Sequence, residues 1–496
     1  MYLLVPNPPL ARSSTSITTT FMKSRLLLVF FLVVTTWAQA QNSTFTIKPT
    51  NPQAGQEVNI IYNPAGTVLA SASAITALAY VYDGSVPRMQ EIKLHKVGNN
   101  WQGWITPGAT IDGVLIQFRA EDVYENNGGR GYSFFIHTAK KQPVPDALHG
   151  LAAAYIEWGP TVGINPDPSK GLQLIEQEVT QYPHQARAVI KTKLTGLSAV
   201  HDGEERKQRI AAELEAFTQY KGLSGKELRM MANFYSVINN PEKAADYNSR
   251  AKILDPKVGT ENERLDFFNQ EKNPDKRIAL GLAFAKDYPI HPEVSNVVAA
   301  TAGIYAKKQK WVEFENILKQ YPFPNMYEVY LAAAQSLHDT GQNTAKAKEL
   351  AWKAYQLAMN EVNEPTGAKD NLITNADWTI KREYALGEVA NVCAAILIKE
   401  GDKATATKYM AKAYQYTRGL NSSINERYVQ VLAASPNKIE AQKTIESIVA
   451  TGNTNSKVKQ LLKDLYVSSG NNASSFDAYW TKVEAPAREK MKTALQ

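Results

Sequence analysis

Leu254-Asp255-Pro256, Asp287-Tyr288-Pro289 and Gln320-Tyr321-Pro322 decide how this chain is read. The three prolines stand at 256, 289 and 322, a period of 33 residues. Each directly follows a stretch whose apolar residues recur at helical spacing. Tyr182-Pro183 has the same form further upstream. A fixed period of this length marks a stack of supersecondary units, because one such unit cannot bury its apolar face alone.

The residues before Pro256 say which unit it is. Ala244, Tyr247, Ala251 and Leu254 place small residues where two helices approach closely. Ala347, Trp352, Ala354 and Tyr355 repeat the pattern, as do Ala404, Tyr409, Ala411, Ala413 and Tyr414. We therefore expect a tetratricopeptide-like α-helical repeat array over residues 146–496. Asp146 is expected to cap a helix over 147–158, and Asp167-Pro168 to open the next. Further helices are expected at 186–199, 241–254, 261–272, 275–287, 326–339 and 376–400, and the last at 473–496. Asn240-Pro241, Asn273-Pro274 and Gly401-Asp402 are the breaks between units.

Upstream of 139 the period is two. Phe45 and Ile47; Val58, Ile60 and Tyr62; Leu78, Tyr80 and Tyr82; Ile92 and Leu94; Val114, Ile116 and Phe118; and Tyr132, Phe134 and Ile136 alternate with small or polar residues. Turn signals such as Asn63-Pro64-Ala65-Gly66, Asp83-Gly84 and Pro107-Gly108 separate them. Short strands punctuated in this way predict an immunoglobulin-like β-sandwich over 42–138. Residues 139–145, with Pro143 and Pro145, read as a short stiff linker. The fold class is thus multidomain, all-β followed by all-α.

Met22-Lys23-Ser24-Arg25, the apolar run Leu26 to Val34 and Ala38-Gln39-Ala40 form a secretory signal peptide over 22–40. Residues 1–21 read as an extension from an upstream start. The apolar run is well below the ~20 residues a membrane-spanning helix needs, so no transmembrane anchor is expected. The expected location is periplasmic or secreted, with a mature chain starting at Gln41.

Charge and composition exclude further classes. Lys+Arg 55 against Asp+Glu 48 gives +7, of which Arg12, Lys23 and Arg25 belong to residues 1–40. That balance gives no reason to expect nucleic-acid binding. A single cysteine, Cys393, rules out an intramolecular disulfide or a CxxC pair, and its apolar surroundings predict an inert thiol. None of His95, His137, His149, His184, His201, His291 and His338 is spaced from another as metal ligands are. The sequence implies no cofactor and no catalytic residue, and predicts a non-enzymatic protein.

The β region holds the candidate ligand site. Trp101-Gln102-Gly103-Trp104 and Tyr124-Glu125-Asn126-Asn127 place aromatics and amides near turns, the residue types that stack on sugars and bond their hydroxyls. The candidates are Trp101, Trp104, Tyr124, Asn126 and Asn127, and the ligand would be a glycan. The segment from Ala79 to Tyr132 resembles starch-binding β-sandwich modules at Asn126-Asn127-Gly128 and Tyr132, with Tyr124-Glu125 in place of their Trp-Asp. The competing reading packs the tryptophans in the core and makes Asn126 to Gly131 a hairpin turn between two strands.

The longest resemblance is carried by framework residues. Phe45-Thr46-Ile47-Lys48-Pro49, Gly55-Gln56-Glu57-Val58, Ala79-Tyr80-Val81-Tyr82-Asp83-Gly84 and Phe476-Asp477-Ala478-Tyr479-Trp480 carry it. With them the chain resembles the front portion of exported TlpA-like thioredoxin-domain proteins of Gram-negative bacteria. In that family a thioredoxin fold with a Trp-Cys-x-x-Cys site follows; here the sequence ends at Gln496 without it. The resemblance therefore implies an exported scaffold that binds envelope protein partners, or an accessory of a thiol–disulfide system with a thioredoxin-like partner. A carbohydrate-binding module on a helical scaffold is the third reading.

Overall fold

The computed structural model describes residues 44–495. The leader, the extension before it and the expected mature start at Gln41 lie outside the described residues. Contacts divide the chain into two compact units, with the break between His201 and Asp202.

The first unit opens with nine strands, β1 (Phe45–Lys48), β2 (Val58–Tyr62), β3 (Thr76–Asp83), β4 (Val86–Lys93), β5 (His95–Val97), β6 (Asn100–Ile105), β7 (Gly113–Ala120), β8 (Val123–Glu125) and β9 (Tyr132–Phe135). They form two antiparallel sheets, one ordered β1-β2-β6-β5 and one ordered β4-β3-β7-β8, with β9 also on β7. Val58, Ile60, Tyr62 and Trp101 of the first sheet meet Ala77, Ala79, Val81, Val114, Ile116 and Phe118 of the second in one buried core. Tyr62 stacks on Phe118 at 3.8 Å between ring centroids.

Leu78, Tyr80 and Tyr82 point the other way, yet they are buried too. The outer face of the β3–β7 sheet is covered by α1 (Ala147–Ala153) and the turns from Ala154 to Val162, and α2 (Pro168–Gln181) and α3 (Ile190–Val200) pack on these in turn. The Tyr82 ring is wedged so tightly that a Cβ on Gly150 of α1 would sit 2.1 Å from its Cδ2. Its hydroxyl donates to the Ala147 carbonyl at 3.1 Å. A sheet buried on both faces needs apolar residues at successive positions, and Ala77 to Tyr82 supplies them. The break in contacts falls at 201/202, because α1 and its turns lie on the sheet and α2 and α3 pack on them.

Asp146 does not cap α1 as expected. It takes a left-handed backbone, φ 70°, and its side chain makes no cap bond. The carboxylate of Glu178, reaching over from α2, accepts the backbone N–H groups of Asp146 at 2.8 Å and Leu148 at 3.1 Å. Asp146 instead bonds His149 Nδ1 at 3.1 Å and accepts from Gln185 Nε2 at 2.8 Å. Asp167 does cap α2, accepting from Lys170 N at 3.0 Å.

The second unit is helical throughout its described length: α4 (Gly203–Phe217), α5 (Gly225–Val237), α6 (Pro241–Leu254), α7 (Pro256–Gln270), α8 (Pro274–Asp287), α9 (Val294–Lys307), α10 (Trp311–Gln320) and α11 (Tyr327–Thr340). It continues with α12 (Thr344–Asn363), α13 (Asn375–Glu400), α14 (Lys403–Tyr416), α15 (Ser422–Ala433), α16 (Lys438–Val449), α17 (Ser456–Ser468) and α18 (Phe476–Leu495). Pro256 opens α7 directly, so the helix expected at 261–272 starts earlier. Proline at a first helical position loses nothing, since its N–H would have no partner there. Pro241 and Pro274 do the same behind Asn240 and Asn273, whose side chains accept the next free N–H groups.

Neighbouring helices pack in sequence order from α5 to α17, and alternate helices touch as well: α9 on α11, α11 on α13, α15 on α17. One apolar core runs continuously from Ile278 to Trp480. Small residues recur in it, Ala333, Ala334, Ala347, Ala351, Ala354, Ala390 and Ala394 among them, as close helix approach requires. The chain is therefore a β region followed by a helical array. No helix among the described residues is long and apolar enough to cross a membrane.

Candidate functional site

The five sequence-predicted residues do not form one surface. Trp101 faces the core and is 5 % exposed, whereas Trp104, three positions along β6, is 47 % exposed on the opposite face of its sheet. Tyr124, 45 % exposed, belongs to the other sheet, with the Arg119 guanidinium 5.5 Å from its ring centroid. Two sheets and their shared core thus separate Trp104 from Tyr124.

Asn126 and Asn127 spend their amides inside the unit. β8 pairs with β7 at Phe118 to Ala120 and β9 pairs with β7 at Gly113 to Ile116, so the two strands lie end to end along one edge. Residues 126–131 are consequently a looped-out stretch in an interrupted edge strand, and not a hairpin turn. Asn126 Nδ2 donates to the Gly163 carbonyl at 2.7 Å, and its Oδ1 accepts from Gly129 N at 2.8 Å. Asn127 Nδ2 donates to the Gly131 carbonyl at 3.1 Å. The Glu125 carboxylate closes the loop by accepting from Asn127 N at 2.8 Å and from the Tyr132 hydroxyl at 3.1 Å. Asn165 N completes the attachment, donating to the Gly129 carbonyl at 2.7 Å. These glycines and amides dock the sheet onto the turns that follow α1.

A second polar chain in this unit has the layout of an acid–base relay: Asp146 to His149 Nδ1, and His149 Nε2 to Thr192 Oγ1 at 3.1 Å. Both His149 and Thr192 are buried, so the hydroxyl is sealed from any substrate and the chain ties α1 to α3. Cys393 is likewise buried; its thiol donates to the Ala351 carbonyl at 3.4 Å, and burial pushes its pKa up to about 12. That burial is what its apolar surroundings in the sequence predict.

Open, chemically mixed space is found at several places in the helical array, two of them along α9, α11 and α13. Between α9 and α11 lies a trough of about 320 Å³ lined by Ala299, Gly303, Val329, Ala332, Ser336 and Leu337. Between α11, the 364–374 loop and α13 lies a cavity of about 430 Å³. Glu328 lines both. The cavity's walls carry Tyr327, Glu328, Trp378, Arg382, Tyr384 and Glu388.

Local structure fixes each of these groups. Thr374 starts α13: its Oγ1 accepts from Asp377 N at 2.8 Å, so Trp378 and Arg382 sit one turn apart on one face. The Arg382 guanidinium stacks on Trp378 at 3.9 Å, and Nη2 reaches Thr379 Oγ1 at 3.5 Å. Its Nε and Nη1 are buried with no hydrogen-bond partner. Glu361, at the end of α12, accepts from Thr366 N at 3.0 Å and pins the loop. Burial raises the pKa of the Tyr327 hydroxyl, followed by the carboxylates of Glu328, Glu361 and Glu388 around it. Burial also raises the pKa of Glu388, with Glu328 on the facing helix as the second cause.

No sequence motif singles this cavity out: its residues come from three helices and a loop, and their meeting depends on the stacking of the array. Glu361, Trp378 and Lys381-Arg382 read one by one as an ordinary solvated helix surface. No known family model matches the chain, and no curated protein matches it.

Proposed function

We propose that this protein is an exported, non-catalytic scaffold of the cell envelope whose helical array binds a protein partner. In this reading the array is tetratricopeptide-like and the two-sheet region immunoglobulin-like, and the chain is kin to the front portion of TlpA-like proteins. The observation that carries it is the face of α9, α11 and α13. One unbroken core holds these helices, yet two adjoining cavities stay open along them and share Glu328. Stacked helical repeats use such extended faces for binding. The proposed export rests on the basic, apolar and Ala38-Gln39-Ala40 regions of 22–40. Mass spectrometry of the secreted product should find Gln41 first, and a product that retains Leu26 overturns that part.

The test of binding uses the whole mature chain as bait, since a cut near 146 would strip the β3–β7 sheet of its covering helices. Cross-linking in the envelope fraction should capture a reproducible protein partner. Ser336→Arg, an exposed change on the trough wall, should abolish the capture without altering the melting curve. Absence of any reproducible partner, or capture indifferent to Ser336→Arg, counts against the array face as the binding surface.

A further inference from the structure

We propose that the cavity between α11 and α13 binds a short zwitterionic peptide, its carboxylate at the Trp378–Arg382 end and its ammonium between Glu328 and Glu388. The inference deepens the scaffold reading and rests on it, by naming what the open face takes.

Arg382 supplies the first half. Among the described residues it alone has two side-chain nitrogens that are buried and without a partner, and both lie on a residue lining the cavity. A guanidinium nitrogen shut away from water and left unbonded is costly, and a carboxylate is the acceptor that offsets this best. None of the carboxylates that line the cavity, Glu328, Glu361, Asp370 and Glu388, is ion-paired with Arg382 among the described residues. Stacking on Trp378, four residues back, draws the guanidinium toward the start of α13, whereas Glu388 lies six residues further on.

The two glutamates supply the second half. Glu328 on α11 and Glu388 on α13 line the same cavity, Glu328 adds to the burial that raises the proton affinity of Glu388, and neither is ion-paired among the described residues. A cation between two like charges relieves their repulsion. Lys381 sits on the same wall without pairing to either. A ligand that satisfies both ends must carry both charges.

Spacing sets the ligand's length. Six residues of α-helix rise about 9 Å, and three residues of extended peptide span about 10 Å. A volume of about 430 Å³ suits a molecule of that size. The apolar trough that adjoins the cavity at Glu328, with Val329, Ala332 and Leu337 on its walls, offers room for an aliphatic side chain.

The experiment is calorimetric titration of the full mature chain with the tripeptide Ala-Leu-Ala, its C-terminal amide and its N-acetyl form. Saturable binding is expected, weakened about tenfold by amidation and about fivefold by acetylation. In Arg382→Gln the penalty for amidation should vanish while that for acetylation stays; in Glu388→Gln the reverse should hold. This crossed pattern compares peptides on the same variant, so a partly misfolded preparation cannot imitate it. No saturable binding up to about 10 mM, a range far weaker than specific recognition, overturns the proposal. So do amidation and acetylation penalties that persist in both variants. If the tripeptide fails while the envelope partner is still captured, this inference alone falls. If the tripeptide binds and no partner is found, the scaffold reading falls and the site stands.

Discussion

The loop at 126–131 and the cavity around Trp378 are built from the same kinds of residue, amides, carboxylates, arginine and aromatics, and they end in opposite states. In the loop, Asn126, Asn127 and Glu125 each bond a neighbouring backbone group or the Tyr132 hydroxyl. In the cavity, Arg382 keeps two nitrogens unpaired and Glu328 faces Glu388. Residue type alone therefore says little about binding. What separates architecture from a site is whether the fold itself uses up the hydrogen-bonding capacity it has gathered.

That contrast can be broken at several points. The largest effect is expected at the Tyr82 wedge: Gly150→Ala drives a methyl into the ring and toward the Gly84 carbonyl. It should destabilise the first unit by about 3 kcal/mol, read as lost hydrogen-exchange protection over β3, β7 and α1 while the helical array keeps its own. Asn126→Ala comes next. It frees the Gly163 carbonyl and Gly129 N–H, and should cost about 1–2 kcal/mol in urea unfolding of the first unit. A cost near zero would return Asn126 to the ligand candidates.

Asp112 gives a pH test of similar size. Its carboxylate accepts from Gly84 N at 2.6 Å, but burial raises its pKa from 3.8 to about 6. A carboxyl whose folded pKa is raised binds its proton more tightly in the folded state. Stability is therefore full below the unfolded value and falls as pH rises from about 4 to about 6. Full linkage would be about 3 kcal/mol; partial solvent screening at this half-buried position leaves about 1–2 kcal/mol. Asp112→Asn should flatten that part of the stability–pH curve and leave the first unit more stable at pH 7. The smallest effect is expected at Arg382→Gln, where the stacking on Trp378 and the long Nη2 contact to Thr379 are lost: under about 1 kcal/mol in the array's thermal unfolding. A larger loss would show that Arg382 serves the fold.

Much of the architecture was legible locally. Caps and prolines at Asp167-Pro168, Asn240-Pro241 and Asn273-Pro274 mark helix starts because they act on backbone groups next to them in sequence. Strand positions followed from alternation for the same reason. The boundary at 201/202 was hidden, because it depends on which helices lie on the outer face of β3 and β7. A trace was present: Ala77-Leu78-Ala79-Tyr80-Val81-Tyr82 has no polar residue to give to water. The Glu178 cap was out of reach, since a carboxylate 30 positions from Leu148 supplies it. Of the candidate site residues, Trp101 and Trp104 differ only by their position in the alternation of β6, which assigns them to opposite faces once the strand is recognised. The cavity in the array left no local trace, because stacking alone gathers its walls.

The interrupted strand opposite β7 has a consequence for the life of the protein at high concentration. An edge strand is a row of free N–H and C=O groups on which another copy can crystallise its own backbone, the first step toward fibres. Here the row is cut into three residues at β8 and four at β9, with the protruding 126–131 segment between them. At the other margin of the same sheet, β4 carries Pro87 as well as Arg88, Glu91 and Lys93. Both margins thus deny a second molecule the long, flat, uncharged template that self-templating growth needs. The segment that fastens the sheet to its helices is also a guard against polymerisation.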